Sequence, residues 1–75
     1  MGEFKDVGNP ELALIEELSE AIQVISKKIR FDSAWREIPE GKTLSRWEEL
    51  TAEMEDVLYQ WERLQKYRDY LDDVA

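Results

Sequence analysis

Apolar residues recur with a helical period in two stretches of the chain, separated by a segment that has no period. From Leu12 to Ile29, Leu14, Ile15, Leu18, Ala21, Ile22, Ile25 and Ile29 share one face of a helix turning about 100° per residue, and Ala13 and Val24 extend it. A second stripe repeats the pattern: Trp47, Leu50, Met54, Val57, Leu58, Trp61 and Leu64. Asn9, Pro10 and Glu11 read as N-cap, first helical residue and acidic first turn. The first helix is therefore predicted from Pro10 to Arg30 or Phe31. Residues 32–42 contain Pro39 and Gly41 and are predicted to form a loop. Ser45-Arg46-Trp47-Glu48 has the form of a capping box, with Thr43 as the other candidate cap, and opens a second helix over residues 43–73. Residues 1–9 form an arm whose Phe4 and Val7 are expected to dock.

These elements predict an all-α chain folded as an antiparallel two-helix hairpin. Its 75 residues show no internal repeat and form a single domain. A lone hairpin cannot bury two apolar stripes, so homo-oligomerisation is expected to complete a four-helix bundle, as a dimer or a higher assembly of dimers. The end of the second helix, from Gln65 to Asp73, is expected to pack on that partner or on the arm, and Tyr67 and Tyr70 with it.

Charge and composition narrow the function. A net charge of −8 and a pI near 4.4 argue against nucleic acid or an anionic membrane as partner and suit a surface that attracts cations. Cysteine and histidine are absent, which removes disulfides, zinc sites built on thiolate or imidazole, and every His-based triad. Charge interrupts each apolar run well short of a membrane span, and Met1–Gly8 lacks the basic start and apolar stretch of a signal peptide. The expected compartment is the cytoplasm.

One residue breaks the apolar pattern. Glu17 lies inside the first arc, where a carboxylate costs several kcal/mol to desolvate without a partner. Something cationic is expected against it. Glu17 and Glu20 lie one helical turn apart, as do Glu53 and Asp56 on the second helix. In an antiparallel hairpin, at about 1.5 Å per residue, the two pairs reach the same height, roughly 20 Å from the loop. Four carboxylates converging from two helices describe a site for a hard cation. The competing reading is a solvated acidic face held by pairs along each helix.

Glu16-Glu17-x-x-Glu20 followed by Glu53-x-x-Asp56 resembles the E-E-x-x-E and E-x-x-D signature of the MazG-like all-α nucleoside triphosphate pyrophosphohydrolases. The resemblance runs from about Leu12 to Leu64. It implies Mg²⁺, with Mn²⁺ as a substitute, and cleavage of an NTP or dNTP to the monophosphate and pyrophosphate by a metal-activated water. By position it makes Glu17, Glu20, Glu53 and Asp56 the metal ligands and Glu16 a supporting acid. Glu16, Glu17 and Glu20 are equal candidates for the group that orients the water.

The remaining candidates follow from the same frame. Lys27, Lys28 and Arg30 are placed to grip a triphosphate, although the helix dipole alone accounts for basic residues there. Gln60 and Arg63, one and two turns beyond Asp56, are further candidates for substrate contact. Trp35 is available to a base or to a neighbouring subunit, whereas Trp47 and Trp61 belong to the core stripe. Glu49 and Glu55 read as surface acids, although Glu49, one turn before Glu53, is also placed to support the ligands from outside. The alternative function is a non-catalytic helical module that binds a nucleotide or a protein.

Overall fold

A computed structural model describes residues 8–74, with side chains as far as Asp73. The expected docking of Phe4 and Val7 lies outside these residues. Two helices, α1 (Pro10–Arg30) and α2 (Arg46–Val74), account for all the regular structure among the described residues. They pack against one another as a hairpin, with Gly8 beside Arg63 at one end and Ser33 beside Arg46 at the other.

Both ends of α1 follow from local chemistry. Asn9 Oδ1 accepts hydrogen bonds from the backbone N–H groups of Glu11 (2.7 Å) and Leu12 (3.3 Å), and Pro10 occupies a position whose N–H would have had no partner. At the other end, the Asp32 N–H bonds to the Ile29 carbonyl at 3.1 Å and the Ser33 N–H to the Lys28 carbonyl at 3.0 Å. This is a Schellman closure, and Asp32 takes the left-handed conformation at φ 50° that glycine usually fills.

The start of α2 lies three residues later than the predicted Thr43. Thr43 and Leu44 form a bend, and Ser45 is the cap. Its Oγ accepts the Glu48 N–H at 3.1 Å while Glu48 Oε1 accepts the Ser45 N–H at 2.9 Å. The loop completes the cap: the Arg46 N–H donates to the Glu37 carbonyl and the Trp47 N–H to the Trp35 carbonyl, both at 2.9 Å. Arg46 is buried, donates from Nε to Ser33 Oγ at 2.9 Å and stacks over Phe31, which ties the loop to the helix ends. Gly41, at φ 79°, allows the Pro39–Lys42 turn that brings the loop back.

The seam between the helices does not follow the centres of the apolar stripes. Its buried residues are Pro10, Glu17, Ala21 and Val24 on α1 and Arg46, Val57 and Gln60 on α2. Leu14, Leu50 and Leu64 are half-buried beside them. The larger apolar side chains point elsewhere: Ile22 is 60% exposed, Ile29 69% and Trp47 57%, and Ile15, Leu18, Ile25, Met54, Leu58 and Trp61 are exposed as well. Trp47 and Trp61, on the expected core stripe, are therefore not enclosed within this chain. The cause is thickness. The molecule measures 22 × 14 Å in its two short directions, so it is a single helical layer, and one layer encloses only the strip between its two helices.

Candidate functional site

The acids meet where the spacing predicts. Glu17 is enclosed at the seam, 4% exposed, and one carboxylate oxygen from each of Glu17, Glu20 and Glu53 lies within 4.8 Å of the other two. Asp56 falls outside this group of three, yet its charge raises the pKa of both Glu17 and Glu53. Glu17 Oε2 and Glu53 Oε2 are buried without a hydrogen-bond partner. No protein cation answers the expectation raised by Glu17, which forms no ion pair among the described residues.

Electrostatics follow from that enclosure. The Glu17 carboxyl is pushed above the usual carboxylate range, first by burial, then by the charges of Glu20 and Asp56 and a hydrogen bond with Glu20, and last by Glu16. Glu53 is raised to about 7 by burial, by a hydrogen bond with Glu20 and by the charges of Glu20, Asp56 and Glu17. Negative charge is thus costly here unless a cation offsets it. Only carboxylate oxygens converge, which is the donor set preferred by hard divalent cations. Glu17, Glu20 and Glu53 are therefore near enough to one another to hold a metal ion, and their all-oxygen donor set suits a hard divalent one, with Asp56 beside them.

The acid group opens into a cleft of about 420 Å³ lined by Glu20, Gln23, Val24, Lys27, Glu49, Glu53 and Asp56. Of the three basic residues at the end of α1, Lys27 alone lines it. The Lys28 ammonium lies 5.3 Å from the centre of the Trp35 ring and the Arg30 guanidinium 5.3 Å from that of Phe31. Trp35 stands edge-on to Trp47, with ring centres 5.7 Å apart, and is half-buried. Glu16 is exposed on α1 and does not line the cleft.

Gln60 and Arg63 occupy a different place. Gln60 is 1% exposed and its Oε1 accepts from Arg63 Nη1 at 3.0 Å, while Arg63 Nη2 donates to the Gly8 carbonyl at 2.7 Å. The pair anchors the entry to α1. Arg63 also lines a smaller pocket of about 180 Å³ with Gly8, Pro10, Tyr67, Tyr70 and Leu71. Gln23, one turn after Glu20, was not singled out in the sequence, and Glu49, one turn before Glu53 and open there to a supporting role, also lines the cleft. Their i+3 and i−4 spacing from the motif acids on the same flank was the available signal.

Fold and site together define a helical hairpin with a carboxylate cluster at its seam. No helix among the described residues is long and apolar enough to cross a membrane. No family model matches this chain, and neither a curated protein nor a solved structure matches it.

Proposed function

We propose that the protein is a Mg²⁺-dependent nucleotide pyrophosphohydrolase, resembling the MazG-like enzymes, that converts an NTP or dNTP to the monophosphate and pyrophosphate. One observation carries the reading: two carboxylate oxygens, Glu17 Oε2 and Glu53 Oε2, are buried without a donor inside a cluster of acids. A hairpin that needed only packing would gain by placing an apolar residue at Glu17. Glu17, Glu20 and Glu53 would hold the ion, with Asp56 on the cleft wall beside them.

Such an ion, when bound, neutralises charge on phosphate oxygens and makes a water nucleophilic near neutral pH. The chain supplies the rest. Of the three candidates for orienting the water, Glu20 both belongs to the acid cluster and lines the cleft. Lys27 faces the same space as a point charge for a phosphate oxygen, and Gln23 offers an amide between Glu20 and Lys27. The reading includes a second copy of the chain, because one layer of two helices leaves its large apolar side chains uncovered; two layers form a four-helix bundle.

The test is incubation of the protein with a panel of NTPs and dNTPs and Mg²⁺, scored for pyrophosphate against orthophosphate. Pyrophosphate release that is lost in Glu53→Gln is the expected result. Binding of a nucleotide without turnover would favour the non-catalytic module instead, and release of orthophosphate from the γ position would refute the hydrolase as stated.

A further inference from the structure

The hairpin's two broad sides differ in chemistry. One holds the acid cleft. On the other, Ile15, Ile22 and Ile29 recur every seven residues along α1, and Trp47, Met54 and Trp61 do so along α2, all of them exposed. The α1 row is turned about 130° from the seam and the α2 row about 90°, in the same rotational sense, which in an antiparallel pair sets both rows on one side. Glu20, Gln23 and Lys27 are turned the opposite way. Glu17 lies at the seam edge of the first arc, and no charged residue stands among Ile15, Leu18, Ile22, Ile25 and Ile29 or among Trp47, Met54, Leu58 and Trp61 on this face. A seven-residue spacing is the one that keeps a stripe facing a second helix.

Charge is also unevenly distributed along the hairpin. The loop end, residues 27–47, carries six cations (Lys27, Lys28, Arg30, Arg36, Lys42 and Arg46) against three acids and is net positive, although the whole chain is at −8. The opposite end, residues 8–19 and 58–74, holds seven acids against three cations and is net negative.

We propose that the apolar face is covered by a second copy of this chain, reversed end to end about a two-fold axis perpendicular to the helices. In that arrangement α1 packs antiparallel on the partner's α1 and α2 on the partner's α2, and each basic loop end lies beside the partner's acidic end. The other two-fold arrangement, with the axis along the helices, stacks α1 on the partner's α2 and sets the two loop ends side by side, positive against positive. The face carries nine large apolar side chains, each 38–69% exposed, so a second layer has a continuous apolar surface to cover. The cleft lies on the far side, so each acid site stays open and is built from one chain alone.

This inference rests on the four-helix part of the function proposed above and is independent of the hydrolase chemistry. The chain has no cysteine, so single cysteines report orientation directly. Light scattering on the full chain at tens of micromolar should give twice 8.9 kDa. Under mild oxidation, Ile22→Cys should link to itself, because Ile22 sits at the middle of its row and meets its own mate on the axis. A mixture of Ile15→Cys and Ile29→Cys should give the mixed disulfide in preference to either homodimer. Disulfides need Cα atoms about 4.4–6.8 Å apart, so the wrong arrangement cannot mimic this pattern. A dimer in which Ile29→Cys instead links to Trp47→Cys refutes the orientation while leaving the bundle intact. A monomer at these concentrations overturns the second copy altogether, whatever the nucleotide assay shows.

Discussion

Glu17 and Glu53 couple the site to the stability of the chain. Glu53 binds its proton more tightly in the folded chain, at about 7, than at its ordinary value of 4.5. Folding therefore takes up a proton between those values, and without metal the contribution of Glu53 is largest below pH 4.5 and is lost as pH rises to about 7. The ceiling on that loss is about 3 kcal/mol, since each pK unit is worth about 1.4 kcal/mol and the cleft is open to water. Urea melts in EDTA should show lower stability at pH 8 than at pH 5, and Glu53→Gln should flatten the difference. A divalent cation reverses the sign, because it binds the charged form. Mg²⁺ at a hundred times its dissociation constant should add about 2.7 kcal/mol at neutral pH, read as a rise in melting temperature that Glu17→Gln abolishes. The acids were legible in the sequence because their i, i+3 spacing survives any rigid packing of two helices. The placement of Gln60 and Arg63 was not. Both lie on the predicted side of α2, but whether a side chain there meets the cleft or the chain entry depends on where Gly8 lies, which no helical period encodes.

At the scale of the elements, helix ends are set by neighbours in sequence and so could be read from it. Asn9 and Ser45 cap as their residue types predict. Ser45→Ala removes an acceptor for the Glu48 N–H and should cost about 1 kcal/mol by chemical denaturation. Asp32 is the opposite case, an exposed residue held at φ 50° where glycine carries no steric penalty. Asp32→Gly should stabilise the hairpin on the order of 1 kcal/mol in the same measurement. The loop's return to α2, through the carbonyls of Trp35 and Glu37, was hidden, since hydrogen bonds across nine and twelve residues leave no periodic trace. So was the rotation of the seam. An amphipathic helix has one broad apolar arc, and pattern alone does not say which edge of it meets the sister helix and which edge is left for another layer.

The whole molecule is then decided by what one layer can enclose. Among the described residues its buried apolar core is Pro10, Ala21, Val24 and Val57, all small, while isoleucines and tryptophans remain in contact with water. Burial of apolar area stabilises by roughly 25 cal/mol per Å², so the proposed second layer would add a further share of hydrophobic free energy that the single layer leaves unused. Folding and association should accordingly be one transition, with stability that depends on concentration. For a dimer unfolding to two chains, each tenfold increase in chain concentration adds about 1.4 kcal/mol per dimer. Urea midpoints taken across about two decades of chain concentration should rise steadily. Ile22→Asp, which sets a charge at the centre of the apolar face, should lower the midpoint at every concentration and leave the caps of α1 and α2 unchanged. A midpoint that stays fixed across that range would mean that the single layer is stable by itself, and the small core at the seam would then have to carry the fold.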